Sequence, residues 1–250
     1  MPHVSVGARR VALGAAVLLA AGIVTGVVIT RPGEPTPDRA AAVVAAPRPS
    51  VARSNRPVPK PRPAVPHDAV PAASPRRFTL SGPAFTIKAR VCGMANERPL
   101  DPPGEQHHTV CWVRNDFGVA PGSRSATTYV LGHSWAPDPQ EVLNQASARA
   151  TRDVLRARPV RYDGVPVYPA PSLLGYHLTL STPQGRLTYT VRKAYGVRKL
   201  KLGDIRTVMD DSVRNRVVLF TCAQRHGVDY NYNIVLEAFL TSSQRIATRA

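Results

Sequence analysis

Two residues that could form a thiolate–imidazole pair each follow a short strand-forming run in this sequence. Cys222 ends the apolar run 217–221, and His133 follows the run 127–132. A side chain at the mouth of a buried strand is held rigidly from below and remains open above. A cysteine activated by a histidine can act as a nucleophile and form a covalent intermediate. The pattern predicts such a cysteine–histidine pair.

Each of these residues also has a simpler structural interpretation. A lone cysteine is most often a small buried hydrophobe, and a lone histidine usually makes a structural hydrogen bond. Cys222 stands where the apolar run gives way to polar residues, and Arg225 and His226 follow closely. Nearby positive charge favours a thiolate. Trp135, after His133, is either the wall of a groove or packed surface.

The N-terminal residues predict a membrane anchor. Arg9 and Arg10 precede the uncharged apolar run 11–30, which as a helix would span roughly 30 Å, the thickness of the hydrocarbon core. The arginines favour a cytoplasmic N-terminus, residues 1–10, and export of the chain beyond residue 30. A cleaved signal peptide is the alternative, although its apolar core would normally be shorter. We expect a single-pass protein of the cell membrane with an extracellular domain.

Residues 31–77 predict a linker. They contain twelve prolines, often alternating with Val, Ala or Arg. Proline fixes φ and lacks a backbone donor, so this segment cannot form a helix or a central strand. It is either a semi-rigid spacer, with a reach on the order of 140 Å at about 3.1 Å per residue, or a disordered tail without a role.

The net charge of +17 raises the question of nucleic-acid binding. The positive charges are scattered along the chain rather than gathered on one periodic face, and no aromatic RNA-binding signature accompanies them. We therefore expect no nucleic-acid partner. A basic surface that faces anionic lipid or an anionic cell-wall polymer fits the composition equally well.

From residue 78 the sequence changes to short β-type runs bounded by Gly, Pro, Asn and Asp. Alternation of apolar and polar residues in several runs indicates half-buried strands. Seven or more strands with one or two short helices predict one all-β domain, a barrel or a sandwich, over residues 78–242, with a tail at 243–250. The expected strands are 84–91, 109–114, 127–131, 175–181, 186–195, 217–221 and 231–238, and the expected helices are 139–148 and 204–210.

The remaining cysteines, Cys92 and Cys111, lie in or beside two of these expected strands. In an exported domain, a disulfide between neighbouring strands is the economical interpretation. A zinc site that uses them with a nearby histidine or Cys222 is the alternative. The sequence has no Cys-x-x-Cys or His-x₃₋₅-His pair, so we expect no metal site and no cofactor.

Taken together, these features resemble the sortases, cysteine transpeptidases of Gram-positive cell surfaces, and most closely the actinobacterial class E/F type. Thr221-Cys222 after an apolar strand resembles the family's Thr-Leu-x-Thr-Cys signature, and Gly132-His133 resembles its histidine motif. Residues 110–114 lie where actinobacterial sortases often carry Gly-Trp-Tyr. The resemblance covers about residues 78–240, and the anchor and spacer also match.

This resemblance implies an all-β closed barrel, a mechanism and a set of partners. Cys222 would attack the threonine carbonyl of an LPxTG- or LAxTG-like sorting motif in a secreted protein, and His133 would protonate the leaving amine. A peptidoglycan-precursor or pilin amine would then accept the acyl group. Thr221, Trp135 and Asn231 would contact substrate.

One position departs from the family pattern. Sortases carry an arginine early in the strand after the cysteine, and here Asn231 or Tyr232 takes that place. We expect Arg225, three residues after Cys222, to substitute for it.

Two alternatives to an active sortase remain open. An L,D-transpeptidase would place a histidine immediately before the nucleophile, where this chain has Phe220 and Thr221. A catalytically degenerate sortase-like module, acting in wall binding or scaffolding, would explain the missing arginine.

Overall fold

The structure is a computed structural model that describes residues 69–97, 100–104, 106–115 and 117–246. The expected N-terminal segment 1–10, the anchor at 11–30 and most of the linker lie outside these residues. Within the part of the chain that the structure describes, no helix has the length and apolar character needed to cross a membrane.

Strands are the main regular structure of the described chain. The strands are β1 (Arg77–Ser81), β2 (Thr86–Met94), β3 (Thr109–Val113), β4 (Thr128–Leu131), β5 (Val160–Tyr162), β6 (Val165–Pro169), β7 (His177–Ser181), β8 (Gly185–Arg198), β9 (Arg216–Arg225) and β10 (Val228–Arg245). The α-helices are α1 (Asn144–Val154) and α2 (Arg206–Met209), and two 3₁₀ helices cover Pro171–Leu173 and Lys199–Asp204.

Eight of the strands close into a barrel. Their order is β10-β9-β4-β3-β2-β1-β7-β8, and a long β8–β10 pairing closes the ring. The β2–β3 and β4–β9 pairs are parallel, and the other pairs are antiparallel. The β5–β6 hairpin extends the sheet by pairing with β8. The prediction of an all-β closed barrel with few helices is confirmed.

Alternating residues of the strands pack on the two faces of the barrel wall. The interior core takes residues from all eight barrel strands and from α1. A second cluster covers the outer face of β3, β4, β9 and β10, where Ile205 and Val208 of the β8–β9 connection pack against it. On β9, Leu219 points inward and Phe220 outward.

The buried side chain of Arg216 links the β8–β9 connection to the barrel. Arg216 Nη1 lies 3.3 Å from Glu237 Oε2, and both side chains are 1% exposed. The same guanidinium donates to the carbonyl oxygens of Thr207 and Val208. Arg216 therefore fixes the segment that includes α2 over the outer face.

The predicted hairpin within residues 175–195 is present as β7 and β8. Its turn is closed by Thr182, whose hydroxyl accepts hydrogen bonds from the backbone N–H groups of Gln184 and Gly185. The β9–β10 hairpin turns at His226 and Gly227, which both have positive φ. Such two-residue turns match the twist of the flanking strands.

Several expected boundaries differ from the structure. Strands β1, β5 and β6 were not expected, and β10 runs through Arg245, into the expected tail. The first helix begins at Asn144 rather than 139. Asp204 does not cap α2; its carboxylate accepts a hydrogen bond from Lys201.

Candidate active site

Cys222 and His133 lie just beyond the last paired residues of the parallel strands β4 and β9. Strand β4 pairs with β9 in a register that places Leu131 beside Phe220, and the N–H of Gly132 donates to the Phe220 carbonyl at 3.2 Å. Leu131 and Phe220 both belong to the outer cluster. Because side chains alternate along a strand, His133 and Cys222, two residues further on, emerge on that same outer face.

A single cavity contains both side chains. It has a volume of about 470 Å³ and lies between the barrel wall and the β8–β9 connection. Its lining is largely apolar, and the polar side chains in it come from the barrel wall, the β8–β9 connection and the segment 101–102. The lining residues are Leu100, Asp101, Pro102, Leu131, Gly132, His133, Lys199, Leu200, Leu202, Gly203, Met209, Phe220, Thr221, Cys222 and Asn233.

The backbone at Cys222 is held by two serine hydroxyls. The Cys222 carbonyl accepts hydrogen bonds from Ser147, at 2.7 Å, and from Ser134. Ser147 Oγ in turn accepts a hydrogen bond from the Gln224 N–H at 2.8 Å. Helix α1 and the residue after His133 therefore fix the position of the cysteine, and the sequence patterns did not identify either serine.

Cys222 is a free, half-buried thiol. It lies inside β9, which continues to Arg225, rather than at the strand end as expected. No hydrogen bond joins its Sγ to the His133 ring within the described chain. Proton exchange between them therefore requires a bound substrate or a side-chain movement, which is common in ligand-free catalytic sites.

The His133 imidazole is oriented by the segment at residues 101–102. Its Nε2 lies 2.9 Å from the Pro102 carbonyl oxygen and 3.6 Å from Asp101 Oδ1. A carbonyl oxygen can only accept, so Nε2 must carry the proton of this bond. In the neutral ring, Nδ1 is then the nitrogen that can accept a proton. The side chain is 26% exposed, which keeps the ring accessible.

Gly132 is required for packing. A Cβ at this position would lie 2.7 Å from Leu143 Cδ1 and 2.9 Å from Val110 Cγ1. The glycine allows the residues that lead into α1 to pack closely against the strand that carries His133.

Asn233 is the residue that faces the cysteine. It is the antiparallel partner of Cys222 on β10 and lines the same cavity. A register shift between Tyr230 and Asn233 leaves Asn231 and Tyr232 without partners on β9. Asn231, which was expected to contact substrate, is exposed and does not line the cavity, whereas Asn233, two residues further along, does.

Arg225 lies elsewhere. It lines a different cleft, with Phe85, Arg149 and His226, and is absent from the lining of the Cys222 cavity. The reason is geometric: an odd separation along a strand places Cys222 and Arg225 on opposite faces. The expectation that Arg225 reaches the site is therefore not supported by its position.

Lys199 supplies positive charge at the cavity instead. It is exposed at the start of the 3₁₀ helix in the β8–β9 connection and lines the cavity. Thr221 also lines the cavity, and its buried Oγ1 makes no hydrogen bond within the described residues. Trp135 is 52% exposed and lies outside the lining, in a turn paired with Asp138.

The structure joins Cys92 and Cys111 in a disulfide between the parallel strands β2 and β3. This is the pair expected from the sequence. Their role is structural, and Cys222 is left as the free cysteine.

A group of possible metal ligands lies apart from this cavity. It consists of His107, Asp138 and Glu141. The hydrogen bond with His107 lowers the pKa of the Asp138 carboxyl. Burial raises the pKa of the Glu141 carboxyl. No metal was expected from the sequence.

Comparison with known proteins gives no match to a protein-family model and no match among curated proteins. Sixty-two solved chains match in structure. They include sortase A of Listeria monocytogenes, with a TM-score of 0.43, 13% identity, and coverage of 72% of this chain and 93% of that chain.

Two further matches have similar scores. The catalytic domain of SrtD from B. anthracis has a TM-score of 0.40 and 17% identity, and the match covers 71% of this chain and 95% of that chain. The lid mutant of sortase A from Corynebacterium diphtheriae has a TM-score of 0.41 and 12% identity, and the match covers 71% of this chain and 74% of that chain.

Proposed function

We propose that this chain is a membrane-anchored, extracellular cysteine transpeptidase of the sortase type. The observation that carries the proposal is that Cys222 and His133 line one cavity from adjacent parallel strands. A free thiol, an accessible imidazole and an amide or cation beside them are the components of acyl transfer through a covalent intermediate.

In the first step, the Cys222 thiolate attacks the carbonyl carbon of a peptide bond. The tetrahedral intermediate collapses, the C–N bond breaks, and the leaving amine takes a proton from His133. The acyl group remains on Sγ as a thioester. The largely apolar cavity limits the entry of water, which favours an amine over hydrolysis in the next step.

In the second step, an amine attacks the thioester carbonyl and gives a proton to His133. A new amide forms, and Cys222 leaves as the thiolate. His133 thus acts first as an acid and then as a base, at Nδ1, while the Pro102 carbonyl holds Nε2–H.

The oxyanion formed in both steps needs a hydrogen-bond donor. Asn233 faces Cys222 and can donate from Nδ2, and Lys199 can add positive charge from the rim of the cavity. A donor directed at the developing charge typically contributes about 10²–10³ in rate.

The substrates of the proposal are an LPxTG- or LAxTG-like sorting motif in a secreted protein and an amine of peptidoglycan precursor or pilin. The apolar lining, including Leu200, Leu202 and Phe220, suits an extended peptide with apolar side chains. The Cys92–Cys111 disulfide supports an oxidising, extracellular location. Residues 11–30 would hold the protein in the cell membrane.

One observation favours a second candidate function. The side chain opposite Cys222 is a neutral amide rather than a guanidinium. A catalytically degenerate module would keep the cavity as a peptide-binding groove for wall attachment or scaffolding.

A transfer assay separates the two functions. The full chain in detergent is incubated with a fluorescent LPxTG or LAxTG peptide and an excess of triglycine, and the products are separated by chromatography. The enzyme proposal predicts a triglycine adduct from the wild type and none from Cys222→Ala. Peptide binding without turnover by either protein would support the degenerate module instead.

A further inference from the structure

Three potential metal ligands converge beside the connection that leads from His133 to α1. Asp138 and Glu141 belong to that connection, and His107 belongs to the segment before β3. One ligand atom from each residue lies within 4.8 Å of the other two. His107 Nε2 and Asp138 Oδ2 are 2.7 Å apart.

The hydrogen bonds within this cluster leave one oxygen atom of Glu141 unsatisfied. The residue is only 7% exposed, and its Oε2 is buried without a hydrogen-bond partner within the described chain. A backbone hydrogen bond from Gln106 reaches the Glu141 carboxylate but leaves Oε2 unsatisfied, and a buried polar atom without a partner is costly. The second carboxylate, on Asp138, opposes the negative charge of Glu141 rather than compensating it. A cation between them would compensate both charges and give Glu141 Oε2 the partner it lacks.

We propose that His107, Asp138 and Glu141 bind one divalent transition-metal ion, with Zn²⁺ the best match. Imidazole nitrogen and carboxylate oxygen are both ligands that Zn²⁺ accepts, whereas Ca²⁺ and Mg²⁺ require more oxygen ligands and do not favour imidazole. Zn²⁺ ligands lie about 2.0–2.2 Å from the ion, so a side-chain adjustment on the order of 1 Å forms the site.

The partial exposure of the site leaves room for a water ligand. The side chains of His107 and Asp138 are 26% and 22% exposed. Three protein ligands and one water complete the four-coordinate geometry that Zn²⁺ prefers.

The metal would fasten the connection after His133. A backbone bond already joins this connection to the segment before β3, since Val142 N–H donates to the Gln106 carbonyl at 3.0 Å. A second bond closes the connection on itself, from Leu143 N–H to the His133 carbonyl at 3.1 Å. A metal at Asp138 and Glu141 would add a cross-link from this connection to His107. The site is independent of the thiol chemistry proposed above.

The test uses the full chain carrying Cys222→Ala, which removes the one free thiol that could bind Zn²⁺ by itself. Isothermal titration measures Zn²⁺ binding, with Ca²⁺ and Mg²⁺ in parallel titrations. In this background, His107→Ala and Glu141→Gln remove single ligands. His108→Ala is the matched control, because His108 is an exposed neighbour outside the cluster.

We expect one Zn²⁺ per chain, no comparable Ca²⁺ or Mg²⁺ binding, and at least a ~10-fold loss of affinity in either ligand variant. The His108→Ala affinity should be unchanged. Glu141→Gln keeps the shape of the side chain and removes a buried negative charge, so the metal-free variant should unfold at a temperature no lower than the wild type, and loss of binding cannot then be attributed to unfolding. The proposal is overturned by absent Zn²⁺ binding, by preference for Ca²⁺ or Mg²⁺, or by an affinity that Glu141→Gln leaves unchanged.

Discussion

Cys222 and Asn233 are direct partners across the β9–β10 hairpin, and both line the cavity that contains His133. The side chain opposite the proposed nucleophile is therefore an amide. The cation nearest to this arrangement in sequence, Arg225, lines a separate cleft. This relationship assigns oxyanion stabilisation to Asn233 and Lys199 rather than to Arg225.

A matched pair of variants tests that assignment. Asn233→Ala removes the donor that faces Cys222, and we expect kcat/KM for peptide transfer to fall by about 10²–10³. Arg225→Ala changes a residue outside the cavity, and its kcat/KM should stay within about twofold of the wild type. Steady-state transfer rates at several peptide concentrations provide the comparison. A large loss of kcat/KM in Arg225→Ala, with little change in Asn233→Ala, would instead support the role that the sequence predicted for Arg225.

His133 should be essential in both half-reactions. His133→Ala removes the only imidazole that lines the cavity within the described residues, and we expect kcat to fall by about 10²–10⁴. The control is His226→Ala, which changes an exposed histidine in the β9–β10 turn. Equal losses in the two variants, or none in His133→Ala, would remove His133 from the mechanism.

Ser147 should position the nucleophile through the backbone. Ser147→Ala leaves the buried N–H of Gln224 without its acceptor, which costs about 1–3 kcal/mol in free energy of unfolding. It also removes one of the two donors to the Cys222 carbonyl, so we expect kcat to fall while KM changes little.

Ser172→Ala is the matched control for this effect. The Ser172 hydroxyl is buried without a hydrogen-bond partner among the described residues, so its removal should leave stability unchanged or slightly raised. Denaturant unfolding of both variants measures the difference. A Ser147→Ala protein as stable and active as Ser172→Ala would contradict the positioning role.

The disulfide should contribute stability but no chemistry. Reduction of Cys92–Cys111 opens a loop with a sequence separation of 19, and we expect the free energy of unfolding to decrease by about 3 kcal/mol. Unfolding in the presence and absence of a phosphine reductant measures this change. Transfer activity should persist in reductant at temperatures where the protein stays folded, and its loss there would indicate a catalytic role for the bridge.

The strands of the barrel, and the position of Cys222 and His133 on two of them, could be predicted because both depend on local patterns. Alternation and turn residues indicated most barrel strands, and Cys222 and His133 stood out as reactive side chains on strand-forming runs. The same alternation would have excluded Arg225 if the strand had been extended past Cys222, since Arg225 lies an odd number of residues from Cys222 on β9. The His226-Gly227 turn was the signal that β9 runs on past the cysteine.

Other features of the structure could not be predicted from the sequence, because they depend on how distant parts of the chain pair and pack. The register shift before Asn233 moves the residue that faces Cys222 two positions beyond Asn231, and no local pattern in the sequence indicates such a shift. Ser147 reaches the Cys222 backbone from a helix 75 residues away in sequence. The ligands His107 and Asp138 are likewise separated by 31 residues, so only the folded chain brings them together.

Intact-mass measurement of the acyl-enzyme tests the central claim most directly. The full chain is mixed with a sorting-motif peptide in the absence of any acceptor amine, quenched in acid and digested for mapping. The account predicts a mass increase equal to the acyl portion of the peptide, located on Cys222, removed by hydroxylamine and absent from Cys222→Ala. An unmodified Cys222, tested with both LPxTG and LAxTG peptides, or an adduct on another residue would contradict it.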